Sequence, residues 1–313
     1  MSNLKLIIIV PVYNCAPFID RCVLSLVNQT YSNINIILIN DGSNDSSFEF
    51  CKKWSLLDSR IILINKSNEG VSKTRNIGIE KAIELGADLV GFVDADDYID
   101  KDMYYNMINQ LVYNKADLSI CSRVRELDNQ TITYLGEEDC ILNGFINLNK
   151  LACEYDLHSS VNKVYSISFF QSGIRFPEGM AYGEDLCFVI DILKESKKGI
   201  YIPTGYYHYV ENKSSASFNW NEKKLKEGII CYRKLFDFFV EKGISARPAL
   251  NYIFAAYARA YQKGNKSQFL KDYRFFFIKN IKYCYKFMKY WLFFIHPALY
   301  FVLKNEYSNY IRR

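Results

Sequence analysis

Three aspartates within four residues, Asp94, Asp96 and Asp97, follow directly on the apolar run Leu89-Val90-Gly91-Phe92-Val93. The run has the length and β-branched content of a buried strand. In extended backbone Asp94 and Asp96 project to one side, and carboxylates so close repel each other unless a cation lies between them. Oxygen-only donors favour Mg2+ or Mn2+, whose remaining positions are commonly filled by substrate phosphates. The same D-x-D-D would also serve as a solvated acidic turn with a helix cap, so the cluster needs support from elsewhere. A second acidic pair, Glu184-Asp185, opens the apolar stretch 186–193. There it either compensates a helix dipole or aims a carboxylate into a site as a general base.

These residues must be positioned by the elements around them. An apolar strand at 6–10 runs into Pro11-Val12-Tyr13-Asn14, and a helical pattern at 18–28 follows. The next buried strand, 34–39, ends in Asn40-Asp41-Gly42-Ser43, and Asn44-Asp45-Ser46 reads as the N-cap of a helix through about Leu57. A third strand at 61–64, the turn Asn68-Glu69-Gly70, a helix at 71–85 carrying Lys73 and Arg75, and the strand at 89–93 complete the series. Strand–helix alternation at this spacing predicts an α/β fold: a Rossmann-like, mostly parallel sheet with helices on both faces. In such sheets ligands bind beyond the carboxyl ends of the strands. Three of those ends carry polar clusters, at 11–14, 41–43 and 94–97, and their convergence on one edge is far less expected by chance than any single motif. No G-x-G-x-x-G follows the first strand and no P-loop lysine is present, which counts against the usual dinucleotide and P-loop sites.

Farther on, a helix is expected at 103–115, a strand at 116–121 and a polar connection with short strands at 123–150. Tyr206-Tyr207-His208-Tyr209 follows a further strand, with Lys213-Ser214-Ser215 beyond it. A single His among aromatics serves either as a packed residue or as a metal or phosphate ligand. Residues 221–313 are mostly helical by pattern, without another catalytic cluster.

At 313 residues the chain accommodates one large α/β domain plus an appendage. Its net charge of +5 is uneven: residues 263–313 hold 11 Lys+Arg against two acids, about +9, leaving about −4 for residues 1–262. A basic tail on a mildly acidic body points to a surface partner, with anionic lipid or nucleic acid as candidates. The nine Cys form no CxxC pair and are odd in number, so they read as free thiols of a reducing compartment. The N-terminus has no basic n-region, and its seven-residue apolar run at 6–12 ends in a turn, so a strand and a cytoplasmic protein are expected.

VPVYN (10–14), SLVNQTY (25–31), LINDGSNDSS (38–47), NEGVSKTRNIG (68–78), FVDADDYI (92–99), NKVY (162–165) and GEDLCF (183–188) resemble, in order and spacing, the family 2 inverting glycosyltransferases. The resemblance covers residues 5–217, about two thirds of the chain. It implies a GT-A fold at 1–217, with a nucleotide-sugar half to about residue 100 and an acceptor half after it. It also implies a UDP-linked sugar donor and a Mn2+ or Mg2+ ion held through the D-x-D. Carried over by position, Pro11, Val12 and Tyr13 line the nucleobase pocket, Asp41 bonds the uracil, and Arg75 lies beside the base. Asn14, Gly42, Ser43, Gly70 and Ala95 complete the donor-binding set, Asp94 contacts ribose or metal, and Lys163 and the Lys213–Ser215 segment approach phosphate. Asp96 ligates the metal with Asp94, His208 is a further ligand candidate, and Asp185 is the catalytic base. The acceptor implied is a bacterial surface glycan of the capsule, O-antigen or lipooligosaccharide kind.

In the tail, aromatics and lysines interleave from Phe269 onward. The apolar stretch 290–303, broken by His296-Pro297, falls short of the ~20 residues needed to span a bilayer. Residues 218–313 are therefore expected to form a helical region, either lying in the membrane interface at the inner face or packing on the core or a second copy of the chain. Three rival readings fit these residues less well. A nucleotide-sugar-binding module without turnover would have no need of both Asp96 and Asp185. A nucleic-acid-binding protein leaves the strand-end acids unexplained. A phosphotransferase using a D-x-D aspartate as nucleophile gives Asp41, Arg75 and Asp185 no joint role.

Overall fold

A computed structural model describes residues 3–127, 130–134, 140–143, 157–210, 221–284 and 287–301. Chain contacts divide it into two compact units, Met1–Phe218 and Asn219–Arg313.

The first unit opens as the alternation requires: β1 (Leu6–Val12), α1 (Ala16–Val27), β2 (Ile34–Asp41), α2 (Ser47–Leu57), β3 (Ile61–Lys66), α3 (Val71–Glu84) and β4 (Leu89–Phe92). The four strands pair in parallel in the order β3-β2-β1-β4, with Leu6 opposite Ile34 on one side and Leu89 on the other. Leu6 to Val10 are at most 1% exposed, which is why β1 reads as an unbroken apolar run. Pro17 in the first turn of α1 presets its φ, and Ile19, Cys22, Val23 and Leu26 form the buried face. Helix α3 meets the sheet at Gly78, where a Cβ would fall 2.4 Å from Ile9 Cγ2. This close approach sets how near the side chains of α3 come to the strand ends.

The rest of the sheet is mixed. β9 (Lys163–Ser166) lies antiparallel between β4 and β6 (Leu118–Leu127), and β6 runs parallel to β10 (Lys198–Val210). The two-residue β5 (Tyr98–Ile99) edges β10, while β7 (Gln130–Tyr134) and β8 (Cys140–Asn143) attach to β6 and β10. Tyr206 to Tyr209 thus lie inside a strand and not beyond it, because Tyr207 and His208 pair with Ile99 and Tyr98. Among the described residues, three further helices belong to the unit: α4 (Met103–Tyr113), α5 (Ser168–Gln171) and α6 (Glu184–Glu195). An aromatic cluster joins β4 to α6. The Phe92 ring lies 5.2 Å from Phe176, 5.7 Å from Tyr165 and 5.9 Å from Phe188, and Phe176 stacks on Phe188 at 3.8 Å. Such pairs add ~0.5–1.5 kcal/mol each beyond their buried area. Phe92 precedes Asp94 by two residues and Phe188 follows Asp185 by three, so the cluster aligns both acidic segments.

The second unit is helical: α7 (Glu222–Glu241), α8 (Arg247–Lys263), α9 (Lys266–Lys279), α10 (Ile281–Cys284) and α11 (Met288–Ile295). Asn221 and Asn265 cap α7 and α9 by accepting from the amides of Lys224 and Gln268. Six aromatics of the tail pack into its core: Phe269, Tyr273, Phe276, Phe277, Tyr290 and Phe293 are buried. Among the described residues, no helix is long and apolar enough to cross a membrane.

Gly78→Ala tests the helix–sheet contact. Overpacking against Ile9 is expected to cost ~1–3 kcal/mol, read as a lower midpoint in thermal or urea unfolding; an unchanged midpoint contradicts the close approach.

Candidate active site

The carboxyl ends of β1 and β2 are tied together. Asn14, at φ 50°, donates its amide to Ser43 Oγ (3.1 Å) and accepts from the Asn44 amide on its own Oδ1 (2.8 Å). Ser47 Oγ and Asp45 Oδ2 accept from the amides of Cys15 and Ala16. Gly42 has φ 67°, and a Cβ there would stand 2.6 Å from the Asn68 backbone nitrogen, so a side chain is excluded on both counts. Asp41 is buried and gathers the next loop, accepting from the Lys66 ammonium and from the amides of Glu69 and Gly70, each at 2.9 Å. Val12 is buried, and Tyr13, 47% exposed, forms a rim. The expected nucleobase residues therefore share one edge, and Asp41 already holds three donors of its own chain.

At the end of β4 the aspartates divide their work. Asp97 is buried and structural: Tyr207 donates to Oδ2 (2.6 Å) and the Val210 amide to Oδ1 (2.9 Å), bracing the end of β10. Burial, then Asp94 and Asp96, push its carboxyl well above the usual range. The amide of Asp94 donates to the same Tyr207 oxygen at 3.2 Å, and Ala95 is buried between. Arg21 donates to the backbone oxygen of Asp96 at 3.0 Å. Burial first, then Asp94, push the Asp96 carboxyl up to about 6.

Arg75 is the link across the site. It is buried on α3, donates Nη2 to Asp94 Oδ1 at 2.8 Å and Nη1 to Asp185 Oδ1 at 2.7 Å, and lies over the Phe176 ring at 5.1 Å. Burial disfavours its charge, but Asp185 and Asp94 outweigh that and raise its pKa. Ser160 adds a second grip on Asp185, through Oγ to Oδ1 (3.1 Å) and its amide to Oδ2 (3.4 Å). Glu184 beside it is pushed up to about 7 by burial and then by Asp185. The resemblance implies Arg75 beside the base; in the structure its guanidinium bridges two acidic segments. Glu184 is expected only as the partner of Asp185 in an acidic pair, and nothing in the spacing of Ser160 or of the Asp97–Tyr207 brace marks them.

Two expected residues lie apart from this bridge. Lys163 is 1% exposed, with its ammonium held by Ser159 O (2.6 Å) and Asn162 Oδ1 (2.9 Å); burial, then Arg123, push it down to about 7. His208 stacks on Tyr98 at 4.3 Å and sets its ring nitrogens against Glu126 (3.2 Å) and Asp100 (3.1 Å). The structure does not gather it with Asp94 and Asp96: among the described residues, no three His, Cys, Asp or Glu are grouped to hold a metal. Gly70, at φ 91°, precedes α3 and donates to Asp41. Pro11 is half-buried. The Lys213–Ser215 segment lies outside the described residues.

Residues 7–174 match the family described as Glycosyl transferase family 2. The chain belongs to this family. Glycosyltransferase GlyA of Streptococcus pneumoniae is 33% identical over 229 residues, 70% of this chain and 32% of GlyA. The uncharacterized glycosyltransferase EpsJ of Bacillus subtilis is 29% identical over 222 residues, 66% of this chain and 61% of EpsJ. The chain thus matches between a third and three fifths of these relatives' length. Among solved structures, TarS 1–349 of S. aureus in complex with UDP-GlcNAc superposes with a TM-score of 0.67 at 18% identity, covering 85% of this chain and 75% of that one. The mannosyltransferase PcManGT of Pyrobaculum calidifontis, in complex with GDP-Man and Mn2+, superposes with a TM-score of 0.56 at 16% identity, covering 85% and 77%. The fold is GT-A.

Asp94 and Asp96 suit a hard divalent cation. They offer carboxylate oxygens only, and burial first, then the charge of Asp94, disfavour an ionised Asp96, a cost that a bound cation would offset. A carboxyl whose folded-state pKa lies above its unfolded value costs stability once ionised. That penalty is absent below the unfolded value of 3.8 and grows as pH rises through about 6. Without divalent cation, Asp96→Asn is therefore expected to melt above wild type near pH 8, with the gap closing toward about pH 4; a constant gap contradicts the assignment. Arg75→Gln leaves two carboxylates without their counter-ion and is expected to lose about 3 kcal/mol in urea unfolding. A loss within error would show the bridge to be energetically idle.

Proposed function

We propose that the chain is an inverting glycosyltransferase that moves a sugar from a UDP-linked donor to a hydroxyl of a surface-glycan acceptor, with Asp185 as general base. The observation that carries this reading is the Arg75 bridge. It brings a strand-end carboxylate of the D-x-D and a helix-start carboxylate from a segment far along the chain to the two arms of one guanidinium. One inverting displacement needs such an arrangement: charge neutralised on the leaving diphosphate, and a base on the other side of the sugar to take the acceptor's proton.

Asp94 and Asp96 would hold a Mn2+ or Mg2+ ion. Bound there, it would act as a Lewis acid toward the charge that grows on the leaving diphosphate. The other steps fall to the chain's own side chains. Tyr13, Pro11 and Asp41 flank the donor's base at the shared edge of β1 and β2. Arg75 sets its positive charge against Asp94 and Asp185 at close quarters, and Ser160 fixes the orientation of the Asp185 carboxylate. So oriented, the Asp185 carboxylate can accept the acceptor hydroxyl's proton as the new glycosidic bond forms. Burial, then Asp185, raise the neighbouring Glu184 carboxyl to about 7, so charge at Glu184 is disfavoured relative to an ordinary carboxylate. TarS with UDP-GlcNAc and PcManGT with GDP-Man and Mn2+ support a nucleotide-sugar donor and a metal for this fold. We assign residues 1–217 to transfer, with a hexosyl or N-acetylhexosaminyl group as cargo. The basic helical region 218–313 is assigned to a membrane-surface contact at the inner face, suited to a lipid-linked acceptor.

UDP release from a panel of UDP-sugars tests this directly. Mn2+-dependent release by the wild type is expected, falling at least ~100-fold in Asp185→Asn while UDP binding persists. Equal release by the variant contradicts the base, and UDP binding without turnover of any sugar, acceptor extracts included, would leave a binding module.

A further inference from the structure

The acidic and basic charges of the chain are segregated by unit. Residues 219–313 carry 19 Lys+Arg against six Asp+Glu, a net +13, so residues 1–218 account for −8 of the total of +5. Within the basic unit a cleft of about 360 Å³ opens beside α8, a volume within the range of small-molecule sites. Arg259 and Lys263, four residues apart and so on one face of α8, line it together with Lys289 of α11. Phe254, Tyr300 and Phe301 form apolar walls. No carboxylate is among its described lining residues. The Lys289 ammonium stands 5.6 Å from the centre of the Phe254 ring and donates to Asn251 Oδ1 at 2.8 Å.

Three cations around one cleft repel each other, and the complement to that charge is an anion. The walls add a second requirement. A free phosphate would leave the aromatic surface wet, whereas a phosphate with an apolar extension would cover it. The neighbouring residues agree: Met288, next to Lys289, is 84% exposed, and Leu299, next to Tyr300, is 42% exposed. Exposed apolar side chains beside lysines are the make-up of a surface that settles into the headgroup boundary of a bilayer.

We propose that this cleft binds the phosphate headgroup of an anionic membrane lipid, with Arg259, Lys263 and Lys289 around the phosphate and Phe254, Tyr300 and Phe301 against the adjoining apolar carbons. The proposal deepens the membrane contact assigned above and rests on that reading.

Co-sedimentation of the 313-residue chain with phosphatidylcholine vesicles, with and without phosphatidylglycerol, tests it. Arg259→Gln/Lys263→Gln is compared with Lys271→Gln/Lys279→Gln, which removes the same charge from the exposed face of α9. Wild type is expected on phosphatidylglycerol vesicles only. The cleft pair should lose about thirtyfold in affinity, the effect of two basic contacts to an anionic headgroup, and the α9 pair at most about threefold. Equal losses would mean a diffuse field and overturn the site. A loss confined to the α9 pair would move the contact to exposed Phe275 and Ile278 and overturn it as well. So would absence of vesicle binding, or displacement by inorganic phosphate at the concentration of the lipid. Mn2+-dependent UDP release, read on the same proteins, is expected to be unchanged in the cleft pair. Its absence from wild type would strike the transferase reading and leave the vesicle result standing.

Discussion

A buried guanidinium must be paid for by charge of the opposite sign, and Arg75 obtains it from two directions. Its partners are 19 residues away in sequence at Asp94 and 110 away at Asp185, so neither local structure nor a single motif can supply them. The bridge exists because three packing decisions agree. Gly78 lets α3 approach β1 to within the space of a missing methyl group. The Phe92–Phe176–Phe188 cluster holds the end of β4 against the start of α6. Ser160 then gives its hydroxyl to the Asp185 oxygen that Arg75 holds and its amide to the other. Loss of any one would misplace a charge in a half-buried site, where unpaired charge is far more costly than at the surface.

A second constraint is the concentration of acid at the end of β4. Three carboxylates within four residues cannot all ionise cheaply, and the structure separates their fates. Asp97 turns inward to Tyr207 and Val210 and becomes part of the sheet's own bonding. Asp94 is balanced by Arg75. Asp96 is left to the site, with burial and Asp94 both raising its pKa. The pattern pairs Asp94 with Arg75 and braces the sheet with Asp97, and leaves Asp96 for the metal-holding role proposed above. This division explains how an acidic cluster can persist at a strand end without unfolding it.

Much of this was legible in the sequence because parallel strands buried on both faces write continuous apolar runs. β1 to β4 and their helices could be read to within a residue or two, and the polar strand ends fall, as expected, on one edge of the sheet. Asp94, Asp96 and Asp185 stood out because carboxylates after apolar segments have few structural reasons to be there. The mixed half was not legible. A four-residue strand such as Lys163–Ser166 carries no sign of its direction, and Tyr206–Tyr209 read as lying beyond a strand because β10 shifts register against β6 between Ile202 and Tyr207, around Pro203 and Gly205. Nor does sequence separate a lysine that faces a phosphate from one that ties down its own backbone, as Lys163 does. The partners of Arg75 and His208 come from distant segments, and pairings of that kind are set by tertiary packing.

The most direct measurement is a crystal structure with UDP and Mn2+, using anomalous scattering to locate the ion. The expected result is an anomalous peak in contact with the carboxylates of Asp94 or Asp96, with uridine at the edge formed by Asp41 and Tyr13 and Asp185 facing the open side of the diphosphate. An ion bound elsewhere, or UDP seated away from the Arg75 bridge while that bridge stays intact, would contradict the joining of donor and base through one arginine.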